Sequence, residues 1–364
     1  VVDVGRDEQV VAARLASQML TGPPGTSVEG VVGRLLAVQA QDGRGARLSV
    51  RSRSTGLKAA DVDRALSYDR SLIVSWLNRG TLHLVRTEDY WWLHQLTAPR
   101  LARGSERRLR QLGVAPAQSA RGVDMIIKTL AEAGPQSREQ LRHLLQRLGV
   151  PTDGQVMVHL LVIATATGAV VRGPLAGTDQ AFVSVPRWIG AAPRALDSDG
   201  ALARLARRYL AGHAPAGAAD LAKWAGLPLG DARKGLAAIS DEVVPVGPGL
   251  VALVGGPGLG AGTAGIPVAL PAPRLLGPFD PLLHGWASRG PFVGEHGSVV
   301  TVNGIFRPVA LVGGRVVATW GLPGGRVTVT PLEPLPARAR RALALDGADV
   351  LRFLGLRDLP VAFS

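Results

Sequence analysis

Gln39 and Gln41 flank Ala40 in the stretch LLAVQAQDGRGARLSVRSR, two uncharged amides directly ahead of Arg44, Arg47, Arg51 and Arg53. An amide neither gives nor takes a proton usefully at neutral pH. Each does offer a carbonyl acceptor and two N–H donors, so a pair can hold a water molecule and aim its lone pair. Such a site suits a reaction whose leaving group is already activated, where positioning and electrostatics suffice. A purine alkylated at N7 or N3 is a leaving group of that kind: its ring is cationic and its bond to the sugar is weakened in advance. Water then need only be held beneath the sugar as an oxocarbenium-like centre develops. On residue types alone the plainer reading stays open and is favoured, because glutamine is common and amides at a helix end also cap carbonyls or face solvent.

For the two amides to cooperate, the helix suggested by the preceding apolar run must stop and the backbone must extend, since residues two apart point to nearly opposite sides of a helix. Asp42-Gly43 supplies the expected break. Asp42 is also the nearest carboxylate and has a candidate accessory role in stabilising a cationic sugar; a turn-forming Asp beside Gly is the favoured alternative. His83, in the first expected hairpin, is a second accessory candidate, although strand histidines are more often structural. No His-x-x-x-His pair or His/Asp cluster is present, so neither a metal nor another cofactor is expected.

The elements that must position these residues repeat along the chain. Helical periodicity in DEQVVAARLASQML, a helix starting at a Ser27 cap with Glu29 in its first turn, and LKAADVDRALS precede LIVSWLNRGTLHLV, which reads as strands paired around Asn78–Gly80. Residues 122–133, 137–148 and 155–167 give three more helices, closed by a hairpin in AVVRGPLAGTDQAFVSV. Residues 199–211, 217–225 and 228–239 give another three, closed by VVPVGPGLVALVGG. Three helices and a hairpin, three times over, predict tandem winged helix-turn-helix modules at 1–98, 118–186 and 187–256, with a basic helical connector at 99–117. Beyond the Gly/Pro-rich linker GGPGLGAGTAGIP, residues 257–364 read as a β-rich, barrel-like domain with tight turns at Asn303-Gly304, Gly313-Gly314 and Gly324-Gly325, then a helix. The expected class is α+β.

The balance of 41 Lys+Arg against 28 Asp+Glu gives a formal charge of +13 over 364 residues, which points to an anionic partner, foremost nucleic acid. Lysine is confined to Lys58, Lys128, Lys223 and Lys234, an arginine bias suggesting a GC-rich bacterial genome. With no cysteine, disulfides, thiolate metal sites and thiol nucleophiles are excluded. Without an apolar signal core or a stretch of roughly 20 apolar residues, a cytoplasmic, DNA-associated monomer away from membranes is expected. Candidate phosphate contacts are Arg44, Arg47, Arg51 and Arg53, and Arg315 at the Gly313-Gly314 turn, where a guanidinium on a narrow hairpin can enter a minor groove. Arg100, Arg103, Arg107, Arg108 and Arg110 form either a second basic face or a solvated helix surface.

The segments LLAVQAQD, SWLNRGTLHLVRTEDYWWL, GPFDPLLHGW and NGIFRPVALVGGRVVATW, in that order, resemble the bacterial AlkZ/YcaQ family of winged-helix DNA glycosylases over most of the chain. In that family a Gln-x-Gln or Gln-x-Asp motif organises the hydrolytic water, and Gln39 and Gln41 match the two-glutamine form. The resemblance implies a monofunctional glycosylase that excises bulky N7-alkylpurines from duplex DNA, including bases that crosslink the strands. It also implies a link to self-resistance in producers of azinomycin-like agents. A crosslinked base cannot swing fully out of the helix, so the lesion is expected to be reached in place, with the Gly313-Gly314 hairpin in the minor groove, unlike the usual base-flipping route. No lysine falls near the motif to support Schiff-base chemistry.

The rival readings are a transcriptional regulator and an architectural DNA binder. A regulator needs a third helix with polar residues aimed at base edges. Here QVMVHLLVIATATG is mostly apolar, and LGDARKGLAAI offers chiefly Arg233 and Lys234. An architectural binder fits the charge but leaves the two glutamines without a task.

Overall fold

A computed structural model describes residues 4–177, 179–257 and 271–364. The fold is α+β. Most of the expected Gly/Pro linker, 258–267, lies outside the described residues.

The chain begins with α1 (Val4–Ser17), α2 (Val28–Leu35), the short strand β1 (Val38–Gln39), α3 (Gly43–Arg51) and α4 (Ala59–Ser67), followed by β2 (Leu72–Trp76) and β3 (Leu82–Arg86). A long α5 (Thr87–Gln111) leads to α6 (Pro116–Ala133), α7 (Arg138–Arg147), α8 (Val156–Ala166), β4 (Val170–Ala176), β5 (Asp179–Ser184) and the short α9 (Val185–Trp188). Next come α10 (Ser198–His213), α11 (Ala218–Ala225), α12 (Leu229–Ala237), β6 (Val243–Gly247) and β7 (Leu250–Leu253). The C-terminal part contains β8 (Arg274–Leu276), α13 (Gly290–Val293), β9 (Val309–Val312), β10 (Arg315–Gly321), β11 (Thr328–Pro331), α14 (Ala337–Leu354) and β12 (Ala362–Phe363). By contact, the chain divides into two compact units, Val1–Val62 with Ser198–Ser364, and Asp63–Asp197.

In the smaller unit, β2 and β3 pair from Leu72↔Arg86 to Trp76↔Leu82, with the turn at Asn78–Gly80 where the sequence places it. Antiparallel β4 and β5 extend this sheet beside β2. Trp76 and Phe182 stack with their centroids 6.2 Å apart, and the Arg172 guanidinium lies 5.4 Å and 5.0 Å from the two rings. α8 packs against α5 and α6 and buries Val156, Met157, Leu160, Leu161, Val162, Ala164 and Thr165. A helix apolar on most sides is a core element rather than a reader of base edges.

In the larger unit, α10 packs against α1, α2 and α12. Its C-terminal end closes an aromatic cluster: His213 stacks on Tyr209 at 4.6 Å and meets Trp224 and Trp286 at 5.3 Å and 5.7 Å. The five-stranded sheet runs β12-β11-β10-β9-β8, with β11 and β12 parallel and the other pairs antiparallel. Instead of the expected barrel-like closure, this order is open. Its edges, β8 and β12, have only three and two residues, too few pairing positions to close a ring. α14 lies against β8 and α3, which ties the β-rich part to the element that follows the glutamines.

Candidate active site and DNA-contacting residues

α2 starts as its sequence indicates, with the Ser27 hydroxyl accepting the Gly30 N–H at 3.1 Å and Glu29 in the first turn. It ends sooner than the apolar run suggests. Leu36 adopts φ 66° and ψ −51°, and the Ala37 N–H donates to the Leu35 carbonyl at 2.8 Å, closing a three-residue turn. A leucine held there costs on the order of 1–3 kcal/mol, which the surrounding structure must offset; Leu35, Leu36, Ala37 and Val38 are all buried. The backbone then extends through Val38–Gln39. The break is therefore made by Leu36, and Asp42 instead starts α3, its Oδ1 accepting the Gly45 N–H at 2.6 Å.

The extension brings the two amides to one side of the chain. Gln39 Nε2 donates to Gln41 Oε1 at 2.6 Å. Gln39 is 5 % exposed whereas Gln41 is exposed, so one amide is seated in the protein and the other faces outward. The sheltered amide thus holds the oxygen of the outer one. Gln41 Oε1 retains a second lone pair, and its NH2 group brings two donors.

The arginines after the motif divide into two pairs. Arg44 is exposed, and the half-buried Arg47 donates to the Gly43 carbonyl at 2.7 Å. Arg51 and Arg53, expected to contact DNA, are each 1 % exposed. Arg53 makes two hydrogen bonds to Asp280, at 2.8 Å and 2.7 Å, and others to Gln18 Oε1, Ser49 O and Ser52 Oγ. Arg51 bonds to Asp346, to Asp349 at 2.9 Å and to the Leu275 carbonyl at 3.0 Å. Both guanidiniums are buried and bonded to groups inside the protein, so neither is on the surface where a phosphate could meet it. Their work is to fasten α3 to the segment around Asp280 and to α14.

Gly45 reinforces this placement: a Cβ there would come within 2.3 Å of the Pro278 carbonyl oxygen. Asp280 lies in GPFDPLLHGW, and its fully buried carboxylate also accepts the Leu282 N–H. An acidic residue within an otherwise apolar stretch is the sequence signal for a buried partner of arginine, but it does not say which arginine.

The Gly313-Gly314 turn is present, with Val312 paired to Arg315 and both glycines at positive φ. Gly314 is buried, and a Cβ there would approach Leu15 Cδ1 of α1 to 2.7 Å. Packing on α1 thus accounts for this glycine, while Arg315 is exposed. In the smaller unit, His83 is 1 % exposed with Nδ1 2.9 Å from the Thr81 carbonyl. Arg100, Arg103, Arg107, Arg108 and Arg110 are exposed along α5. Among the described residues no group of three or more His, Asp or Glu is arranged to hold a metal ion, and no helix is long and apolar enough to cross a membrane.

Comparison with known proteins converges on one family. An interstrand DNA cross-link repair glycosylase of Streptomyces sahachiroi is 28 % identical over 371 residues, spanning 97 % of this chain and 98 % of that protein. The solved structure of the Streptomyces sahachiroi DNA glycosylase AlkZ superposes with a TM-score of 0.75 at 26 % identity, covering 98 % of this chain and 99 % of that one. The family model for AlkZ-like DNA glycosylases matches residues 32–353, which include the glutamine pair, both buried arginines and their carboxylate partners, and the chain belongs to that family.

Proposed function

We propose that this chain hydrolyses the N-glycosidic bond of bulky N7-alkylated purines in duplex DNA, including purines that join the two strands, as part of base excision repair and of resistance to azinomycin-like alkylating agents. The observation that carries the mechanism is the hydrogen bond from Gln39 to Gln41. Gln39 orients the Gln41 amide, and Gln41 Oε1 accepts a hydrogen bond from the attacking water through its remaining lone pair, so that the water oxygen faces C1′. The departing base carries positive charge before cleavage, so the site needs orientation more than a strong general base.

The three groups of helices, each followed by a hairpin, are read as winged helix-turn-helix modules at 1–98, 118–186 and 187–256 that present a basic surface to DNA. Arg44 supports this reading by its exposure directly after the motif, and Arg315 by its exposure beside the turn at Gly313-Gly314. Asp42 serves as the cap of α3 and His83 as a buried strand residue in this scheme.

The test is incubation with a duplex bearing N7-alkylguanine, scored for free base. Release by the wild-type chain, lost in Gln39→Ala and Gln41→Ala with DNA binding retained, is the expected result. Undiminished release by both variants sinks the water-positioning role, and sequence-specific footprinting with no release favours a regulator.

A further inference from the structure

Leu36 closes α2 in a backbone conformation that leucine rarely adopts. Its φ of 66° and ψ of −51°, with the Ala37 N–H donating to the Leu35 carbonyl, define a γ-turn of the rare, strained hand. α6, α11 and α14 end without that strain, each closing on a glycine at positive φ: Gly134, Gly226 and Gly355. Strain of this kind persists only where the surroundings over-determine the backbone, and it concentrates at functional sites. Here it lies three residues ahead of Gln39.

The surroundings that impose it belong to α10. Arg208 and Gly212 are one turn apart on that helix, on the side that meets the end of α2. Arg208 donates to the Gly33 carbonyl at 2.8 Å, and in return Arg34 donates to the Ala211 carbonyl at 3.2 Å. Each helix thus lends an arginine to a carbonyl in the last turn of the other, where no N–H of its own helix is left to bond it. Gly212 lets the two backbones touch, since a Cβ there would lie 2.2 Å from the Arg34 carbonyl oxygen and 3.4 Å from Leu35 Cα. Leu35 and Leu36 are fully buried, so the turn has no room to relax outward.

The same end of α10 also reaches the far flank of the glutamine stretch. Gln18 donates to the Gly212 carbonyl at 2.7 Å and accepts from Arg53 at 3.0 Å. Arg53 lies just past the end of α3. The backbone entering the Gln-Ala-Gln stretch and the helix leaving it are therefore both referred to one turn of α10.

We propose that Arg208 and Gly212 are positioning residues for base release: their clasp on α2 holds the Leu36 turn, and the turn aims β1 so that the Gln39 amide meets Gln41. The need is directional. Gln39 Nε2 donates to Gln41 Oε1 over 2.6 Å, and such a bond weakens steeply with misalignment. Were α2 to continue through Leu36, the two amides would leave the chain on nearly opposite sides. A glycine at that position would relieve the strain but would also open other conformations, whereas the buried leucine admits one direction. The proposal rests on the reading of the two amides as holders of the attacking water.

The test measures single-turnover release of free base from a duplex bearing N7-alkylguanine, together with the half-saturating DNA concentration and thermal melting. Gly212→Ala drives its Cβ against the Arg34 carbonyl, and reaching an ordinary carbon–oxygen separation of about 3.3 Å needs a shift of roughly 1 Å. Release at saturation should slow about 10²-fold, the scale for a misplacement of that size, with the half-saturating concentration unchanged. Arg208→Ala, which loosens the clasp without displacing it, should slow release about tenfold, and Arg208→Lys, which keeps a donor for Gly33, should restore most of that loss. In a Gln39→Ala background neither Gly212→Ala nor Arg208→Ala should slow release further, because the amide they position is gone. A general defect of folding would slow both backgrounds alike, and that result overturns the proposal, as does wild-type release by Gly212→Ala and Arg208→Ala. If Gly212→Ala fails to fold, Arg208→Ala and its lysine counterpart decide by the same comparison. Full release by Gln39→Ala defeats the reading of the amides and the clasp with it. Loss of release in Gln39→Ala, beside wild-type rates in both α10 variants, defeats the clasp alone.

Discussion

The guanidinium of Arg53 and the carboxylate of Asp280 face each other across two hydrogen bonds, 2.8 Å and 2.7 Å long, with no exposed surface on either side chain. Removing one partner strands the other charge in the interior, at a cost of about 3–5 kcal/mol. Asp280→Ala and Arg53→Ala should therefore lower the unfolding free energy by that amount in urea titrations. Activity measured on the fraction still folded should survive better than the fold does. A specific loss of DNA affinity with unchanged stability would instead assign Arg53 to the DNA surface.

Gln39→Ala removes the donor that orients Gln41, and Gln41→Ala removes the oriented group. Each should slow single-turnover base release by about 10²-fold, the scale for loss of one preorganised polar contact to a reacting centre. If the two act as one unit, the double variant should be little worse than either single variant. Multiplicative effects would show that they act independently.

Arg44 and Arg315 are exposed and Arg51 and Arg53 are not. If Arg44 neutralises one phosphate, Arg44→Ala should weaken binding to any duplex sequence. It should also flatten the dependence of log K on log salt concentration by about 0.9. The same titration on Arg315→Ala asks the question for the Gly313-Gly314 turn. An unchanged slope removes the residue from the phosphate contacts.

His213 is held neutral by burial, which pushes its pKa down from 6.5 to about 3; the nearby His284, Arg53 and Arg14 act in the same direction, and the Tyr209 carbonyl opposes them. In the unfolded chain the ring takes up a proton below about pH 6.5, and in the folded chain it does not. Its contribution to stability is therefore complete above pH 6.5 and is lost as the pH falls toward 3, by about 1.4 kcal/mol per unit for one proton. Urea midpoints measured from pH 7 to pH 5 should show this decline. His213→Phe, although less stable overall, should show a shallower slope, and an equal slope would place the proton uptake elsewhere.

Individual helices and hairpins were legible because periodicity and turn residues are local, but α3, which follows the glutamines, was not among them. Ser27 announces α2, Asn78–Gly80 joins β2 to β3, and Gly313-Gly314 joins β9 to β10. The glutamine pair was legible as a pair, but its geometry was not, because it depends on Leu36. A leucine carries no signal for a positive φ; only the packing of Leu35, Leu36, Ala37 and Val38 enforces it. The fate of the arginines was hidden for a different reason. Arg51 and Arg53 look like Arg44 and Arg47 in sequence, and what separates them is Asp280, 227 residues from Arg53, and Asp346, 295 residues from Arg51. Nothing in the local pattern reports a partner at that distance.

The larger unit is assembled from both ends of the sequence, Val1–Val62 and Ser198–Ser364. During vectorial synthesis the glutamines leave the ribosome long before the carboxylates that bury the arginines beside them. An interrupted translation product can carry the complete Gln-Ala-Gln motif and yet lack Asp280 and Asp346, leaving α3 without the anchors that hold it in the finished protein. The order of synthesis thus leaves α3 without these anchors until Asp280 and Asp346 have been made.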